Sequence, residues 1–345
     1  MGVGLRAGRR RQRGRCGKSW RPDWGHDLSL KQPPSAREGD DADEAVADAR
    51  KRTTSRRELA RRPDFEQISP EVGELDEQAV EEALSGDPDE TLTTLAELTG
   101  ATDPVLRDLA RRLAGRLFLD LARRGPARPR GAGRLQTERF RPEAGDLDLD
   151  ASLQAIVDAR AGGVAVDPDQ LFVRTWSTPD TAFCLLVDRS GSMGGRPLAT
   201  SALAAAAVAC RAPHDHSVLS FGKDVVAAKS QDVGRSIEAV VDAVLALRGF
   251  GTTDVAGALL AAEEQLGRTN AARKVTILLS DCRATESAGS GEPAEIARRL
   301  DELVIVAPDG DSEEAEALAA AVGARIATVD GPSDVVRALT DVLDR

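Results

Sequence analysis

The sequence is poor in aromatic residues and has no excess of positive charge. Among its 345 residues there is no tyrosine, aromatic residues make up 3%, and the formal net charge is -11. Proteins that bind nucleic acids usually present a basic surface with aromatic side chains on which the bases stack. We therefore expect no nucleic acid among the partners of this protein.

Cysteines and long apolar runs are also scarce. The four cysteines, Cys16, Cys184, Cys210 and Cys282, lie far apart and lack the paired spacing of a zinc site or a disulfide framework. No apolar run approaches the roughly 18 residues needed to span a bilayer, and the arginine-rich start lacks the apolar segment of a secretory signal. The sequence predicts a reduced, cytoplasmic protein without a membrane span. We expect Cys184 and Cys210 to be buried and Cys282 to be partly exposed.

Motifs of the common enzyme classes are missing. Of the three histidines, none follows His216, where an α/β-hydrolase would place its base, and the surroundings of Ser190 do not match G-x-S-x-G. No P-loop lysine motif occurs. His214 and His216 form either a metal pair or, as we prefer, part of a solvated loop. These observations favour a binding protein, and we expect no enzymatic activity.

The first part of the chain divides into three regions by composition. Residues 1–62 alternate between basic and acidic blocks without lasting periodicity, which predicts a disordered charged tail. Residues 63–125 have helical periodicity, which predicts a small α-helical region. Its last helix begins after Asp103 and carries an apolar row of leucines at positions 106, 109, 113, 117 and 121. Residues 126–150 are rich in arginine, glycine and proline, which is typical of a linker.

Residues 151–345, with a core over 181–345, alternate between apolar strands and helices. The run TAFCLLVD is continuously apolar, as strands buried on both faces are, and an alanine-rich helix follows it. The alternation predicts an α/β fold: a Rossmann-like, mostly parallel sheet with helices on both faces. Ligands of such sheets bind beyond the carboxyl ends of the strands.

Polar residues follow several of these predicted strands. Asp188, Ser190 and Ser192 come at the end of the first strand, Thr253 lies in a glycine-rich loop before a helix, and Asp281 ends the strand KVTILLSD. All five side chains offer oxygen, the ligand that hard cations prefer, so Mg2+ is the expected ion, with Mn2+ and Ca2+ as alternatives. The competing interpretation of DRSGS alone is an ordinary turn with capping side chains.

The pattern resembles the von Willebrand factor A (VWA) domain family over residues 181–345. That family has a metal-ion-dependent adhesion site built from DxSxS, a distant Thr and a distant Asp. The resemblance implies that the metal ligands are Asp188, Ser190, Ser192, Thr253 and Asp281. This chain has Cys282 where family members often carry Gly, and GFGTTD in place of the commoner GGGTD.

The helical region before a carboxyl-terminal A domain resembles a bacterial group, the CoxE-like proteins that act with AAA+ ATPases of the MoxR type. This resemblance implies a Mg2+-dependent adaptor that binds a carboxylate of a client protein and works with such an ATPase in complex maturation or metal-centre assembly. The alternative is a subunit like the D subunit of magnesium chelatase or cobaltochelatase.

Overall fold

The computed structural model describes residue 1 and residues 36–124, 134–140, 146–163, 166–177, 181–189, 195–247, 252–283 and 291–344. Residues Pro33–Arg345 form one compact unit. Among the described residues, no helix is both long enough and apolar enough to cross a membrane.

The amino-terminal part of the compact unit is helical. Its helices are α1 (Gly39–Arg50), α2 (Arg56–Leu59), α3 (Phe65–Ile68), α4 (Glu77–Gly86), α5 (Pro88–Leu98) and α6 (Pro104–Arg123). Helices α4, α5 and α6 each follow an aspartate whose side chain accepts hydrogen bonds from the first backbone amides: Asp76, Asp87 and Asp103. Such a cap stabilises a helix by about 1 kcal/mol, so local sequence fixes where these helices begin.

A small antiparallel sheet follows. Its strands are β1 (Arg134–Arg139), β2 (Asp146–Leu147) and β3 (Phe172–Ser177), in the order β1-β3-β2, and helix α7 (Leu149–Gly162) joins β2 to β3. Asp148 ties the elements together: its carboxylate accepts hydrogen bonds from Ala151 N at 3.1 Å, Thr137 Oγ1 at 2.8 Å and Arg174 Nε at 3.0 Å.

This sheet corrects the prediction of a linker over residues 126–150. Residues 134–139 are a strand, and residues 146–150 contain β2 and the start of α7. The rest of the predicted linker, apart from residue 140, lies outside the described residues. The pairing of β1 with β3 joins segments more than 30 residues apart, and local composition carries no signal of such a contact.

The described strands of the carboxyl-terminal part form a six-stranded sheet in the order β6-β5-β4-β7-β8-β9. They are β4 (Thr181–Asp188), β5 (His216–Phe221), β6 (Val225–Lys229), β7 (Arg273–Leu279), β8 (Leu303–Pro308) and β9 (Arg325–Val329). Strand β6 runs antiparallel to β5, and the other neighbours are parallel. The predicted mostly parallel sheet is confirmed.

Helices cover both faces of this sheet: α8 (Arg196–Arg211), α9 (Ile237–Ala246), α10 (Val255–Gly267), α11 (Pro293–Ala297), α12 (Glu313–Val322) and α13 (Val335–Leu343). Alternate residues of β4 enter different apolar clusters. Leu185 packs in the cluster that includes α8, α9 and α13, whereas Leu186 packs in the cluster that includes α10, α11 and α12. Because β4 is buried on both faces, its sequence is apolar without interruption.

The amino-terminal helices pack on α8 and α9 and share one apolar cluster with them. Helix α6 buries Leu106 and Leu113 of its predicted leucine row, but the other three leucines are only partly buried. Its other buried side chains include Ala110, Ala114, Phe118 and Leu119. Helix α6 packs against α5, α8 and α9, so these tertiary contacts, and not the leucine spacing alone, decide which face of the helix is buried.

The edge of the sheet beside β6 is extended by a residue from the amino-terminal part of the chain. The backbone amide of Arg37 donates to Val225 O at 2.8 Å, and that of Ala227 donates to Arg37 O at 3.0 Å. Helix α1 follows directly and buries Ala42 and Val46 in the cluster that contains α9.

The prediction of a disordered tail over residues 1–62 is therefore wrong for residues 36–62; residues 2–35 lie outside the described part. The charge-rich composition gave no sign of helix α1, because this helix buries only two of its residues, Ala42 and Val46. A helix that gains its stability from a few tertiary contacts needs little apolar sequence of its own.

We predict that the substitution Val46→Asp destabilises the protein strongly. Val46 is 2% exposed, and burying a carboxylate without a partner costs roughly 3 kcal/mol or more. The matched control is Ala47→Asp, because Ala47 is the exposed neighbour on the same helix; its effect should stay within about 0.5 kcal/mol. Urea denaturation measures both. Equal, small effects would mean that α1 does not pack on the core.

Candidate metal centre

Asp188 is the last residue of β4 and is 3% exposed. Its neighbour in the sheet, β7, ends at Leu279, and the next residue, Ser280, donates a hydrogen bond from Oγ to Asp188 Oδ2 at 2.6 Å. This bond joins the ends of two adjacent parallel strands and orients the buried carboxylate. The sequence analysis missed Ser280, although it precedes the predicted ligand Asp281 directly.

Asp281 lies in a tight turn that follows β7. Its Oδ1 accepts a hydrogen bond from the amide of Arg283 at 2.9 Å, and the amide of Cys282 donates to Ser280 Oγ at 2.9 Å. Cys282 has φ = 61°, in the left-handed region, where a residue with a Cβ is strained by about 1 kcal/mol or more. Glycine adopts this conformation without strain, which gives a physical reason why members of the resembled family often carry glycine where this chain has Cys282.

Thr253 is held near the end of β5. It is 1% exposed and precedes Asp254, which caps α10 by accepting a hydrogen bond from the amide of Gly257 at 2.9 Å. The amide of Asp254 donates to Gly222 O at 3.1 Å, and Gly222 follows directly on β5. A Cβ at Gly222 would lie 3.4 Å from Thr252 O, so the loop that carries Thr253 contacts the turn after β5 closely.

Asp188 and Asp281 line the same open cavity, which has a volume of about 190 Å³. Its apolar wall includes Leu279, Val306 and Val329. The chain leaves β4 for β5 on one side and later returns to β7 on the other, so β4 and β7 flank the topological switch point of the sheet. The crevice at a switch point is where open α/β sheets bind their ligands.

Ser190 and Ser192 lie outside the described residues, which stop at Arg189 and resume at Gly195. The structure thus places Asp188, Thr253 and Asp281 at one edge of the sheet. The complete set of five ligands remains a prediction.

The described donors fit a hard divalent cation. Asp188, Asp281 and Thr253 offer carboxylate and hydroxyl oxygens, the ligands that Mg2+ accepts together with water. In the described part of the chain, no group of three or more His, Cys, Asp and Glu side chains could hold a metal ion. The predicted site has only two carboxylates, so it belongs to a different, hydroxyl-rich type.

The cysteines differ from expectation at two positions. Cys184 is buried as predicted, but Cys282 is also buried and Cys210 is the partly exposed one. Burial, with the nearby carboxylates of Asp281 and Asp188, raises the pKa of the Cys282 thiol to about 12. The left-handed turn at Cys282 directs its side chain into the apolar cluster around α10, which local sequence did not indicate.

The two histidines among the described residues lie away from this site. His216 begins β5, whereas Asp188 ends the parallel strand beside it. His214 is exposed, but His216 is buried, and its Nδ1 lies 2.7 Å from Ala212 O. Burial lowers the pKa of His216 to about 4. The solvated-loop interpretation is therefore wrong for His216.

Three solved structures illustrate what the chain resembles. Manganese-loaded TRAP protein of Plasmodium vivax is 18% identical, over 47% of this chain and 72% of that chain, with a TM-score of 0.37. A von Willebrand factor type A protein of Catenulispora acidiphila is 17% identical, over 49% and 43%, with a TM-score of 0.39. Proximal thread matrix protein 1 of the mussel byssus, with a zinc-occupied MIDAS motif, is 13% identical, over 48% and 45%, with a TM-score of 0.39.

Sequence identities and TM-scores this low carry no argument about function. A comparison with curated proteins found no match. The family assignment rests on a different finding. A family model described as VWA domain containing CoxE-like protein matches residues 120–339. That range is more than half of the chain and includes β4 to β9 and the candidate metal centre. The chain belongs to the family of VWA domain containing CoxE-like proteins.

Proposed function

We propose that this protein is a metal-dependent, protein-binding adaptor whose site holds Mg2+ through Asp188, Ser190, Ser192, Thr253 and Asp281. The observation that carries the proposal is the buried Asp188 carboxylate, held by Ser280 and lining the same cavity as Asp281. The two serines join the proposal from the sequence motif, which continues directly from Asp188.

The residues of the site orient oxygen donors and leave room for a partner. Ser280 fixes the Asp188 carboxylate, the turn at Cys282 fixes Asp281, and the cap of α10 fixes the loop of Thr253. The bound cation supplies a positive centre with exchangeable water positions, which a carboxylate of another protein can fill. Arg196 also lines the cavity, and its positive charge favours an acidic partner.

The proposed activity is binding without catalysis, in the cytoplasm. Membership in the CoxE-like family supports an AAA+ ATPase of the MoxR type as a partner, with a carboxylate of a client protein at the metal. The proposed outcome is complex maturation or metal-centre assembly.

We predict that Asp188→Asn abolishes Mg2+ binding while the fold persists. The amide is nearly the same size as the carboxylate, but it lacks the negative charge that attracts the cation, and the site has only one other carboxylate to supply it. Asp330→Asn is the matched control: Asp330 lines the same cavity but is exposed and outside the predicted ligand set. Titration calorimetry should show binding in the wild type and in Asp330→Asn only. Equal loss in both variants would point to a diffuse charge effect, and no loss in Asp188→Asn would exclude the site.

We predict that complex formation with a MoxR-type ATPase depends on the same metal. The Mg2+ concentration is held constant so that the ATPase keeps its own magnesium. Under this condition, Ser190→Ala should weaken the complex. Ser85→Ala, on an exposed position of α4, should leave the complex unchanged. Combining Ser190→Ala with Asp188→Asn, again at constant Mg2+, should cost little more than either change alone, because both remove one shared contact.

A pull-down across a salt series measures this dependence. Direct coordination is screened less than exposed ion pairs are, so moderate salt should matter less than the loss of the metal ligand. A complex that survives Ser190→Ala but dissociates in salt would instead be held by exposed charges.

A further inference from the structure

Gly195 ends the motif DRSGSMGG and directly precedes α8. It has φ = 70° and ψ = -124°, a conformation that only glycine adopts readily. A Cβ at this position would lie 2.7 Å from Arg62 Nη2, 3.3 Å from Glu97 Oε1 and 3.3 Å from Thr93 Cγ2. The amino-terminal helices therefore contact the chain at the very end of the predicted metal-binding motif.

The group that meets Gly195 is itself held firmly. Arg62 Nε donates to Glu97 Oε2 at 2.9 Å, and Arg62 Nη2 donates to Glu97 Oε1 at 2.5 Å. Arg62 Nη1 also donates to Glu90 Oε1 at 3.2 Å. Both glutamates belong to α5, and all three side chains are at most 30% exposed. A two-point arginine and carboxylate pair of this kind has a defined geometry, unlike a single flexible contact.

Helix α5 makes a second contact on the same side of the molecule. Asp89 Oδ1 accepts a hydrogen bond from the amide of Ser333 at 2.8 Å, and a Cβ at Gly331 would overlap the Asp89 carboxylate. The cavity that contains Asp188 and Asp281 is also lined by Arg196, which follows Gly195. It is lined as well by Asp330, which precedes Gly331. One helix thus holds two chain segments that border the candidate site.

We infer that Arg62 and Glu97 are positioning residues for the metal-binding motif. The inference rests on the proposed function, because it assigns these residues a role toward the same metal. The motif is fixed at one end by Asp188, through β4 and Ser280, and at the other end by Gly195, under Arg62. Holding Asp188 and the start of α8 in place keeps the described part of the site in one arrangement, and preorganisation of this kind favours binding of the cation.

The sign of one substitution separates positioning from electrostatics. Arg62→Ala removes a positive charge near the site, so charge alone predicts tighter Mg2+ binding. Loss of positioning predicts weaker binding, by about tenfold, as for other residues that orient metal ligands. Arg62→Lys keeps the charge but cannot make the two-point pair with Glu97, and its affinity should lie between those of the wild type and Arg62→Ala.

The matched control is Arg116→Ala. Arg116 also pairs with a glutamate of the amino-terminal helices, since its Nη2 lies 2.6 Å from Glu77 Oε2, but the pair is exposed and Arg116 does not contact Gly195. Calorimetry should give wild-type Mg2+ affinity for Arg116→Ala. Unchanged or tighter binding by Arg62→Ala, in a protein whose wild type binds Mg2+, would overturn the inference and leave the proposed function intact.

Hydrogen exchange supplies a readout that needs no metal. The amide of Ala199 donates to Gly195 O at 3.2 Å in the first turn of α8. Without Mg2+, exchange over residues 195–199 should be faster in Arg62→Ala than in the wild type or Arg116→Ala. Unchanged exchange would refute the contact. If exchange is faster in Arg62→Ala but the wild type binds no Mg2+, the contact stands, whereas its role toward the metal and the proposed function are both refuted.

Discussion

The hydrogen bond from Ser280 Oγ to Asp188 Oδ2 joins the ends of β4 and β7 at the switch point of the sheet. A carboxylate that is 3% exposed would be costly without polar partners, and this bond gives it one and fixes its direction. Ser280 Oγ also accepts a hydrogen bond from the amide of Cys282, so the same hydroxyl stabilises the turn that carries Asp281. The relative position of the two carboxylates thus depends on a residue that is not a predicted ligand.

Helix α8 connects this site to the rest of the protein. It is buried along most of its length, from Leu198 to Ala209, because the sheet lies on one side and α5, α6 and α9 on others. Alanine suits such a helix, since short side chains allow close approach from several directions without loss of helix propensity. The helix starts at the metal-binding motif, so the packing of the amino-terminal helices reaches the site through it and through the contact of Arg62 with Gly195.

The parts of the fold that local patterns encode could be predicted from the sequence. The apolar run of β4, the alternation of strands and helices, and the polar residues at strand ends correctly gave a mostly parallel sheet and placed Asp188, Thr253 and Asp281 at one edge. The parts that depend on distant contacts could not. Val46 lies in the apolar cluster that includes α9, β1 pairs with β3, and His216 is buried, although each lies in a segment whose composition suggested a tail, a linker or a loop. Ser280 escaped notice because a single serine carries no pattern.

A metal at the edge shared by β4 and β7 can be located directly with Mn2+, which scatters X-rays anomalously and accepts the same oxygen ligands as Mg2+. Crystals of the full chain grown with MnCl2 should give one strong anomalous difference peak between Asp188 and Asp281, at coordination distance either directly or through one water. The peak should weaken when excess Mg2+ competes. Ordered density for both carboxylates without a peak between them, or manganese bound only at surface acidic residues, would contradict a metal-dependent site in this protein.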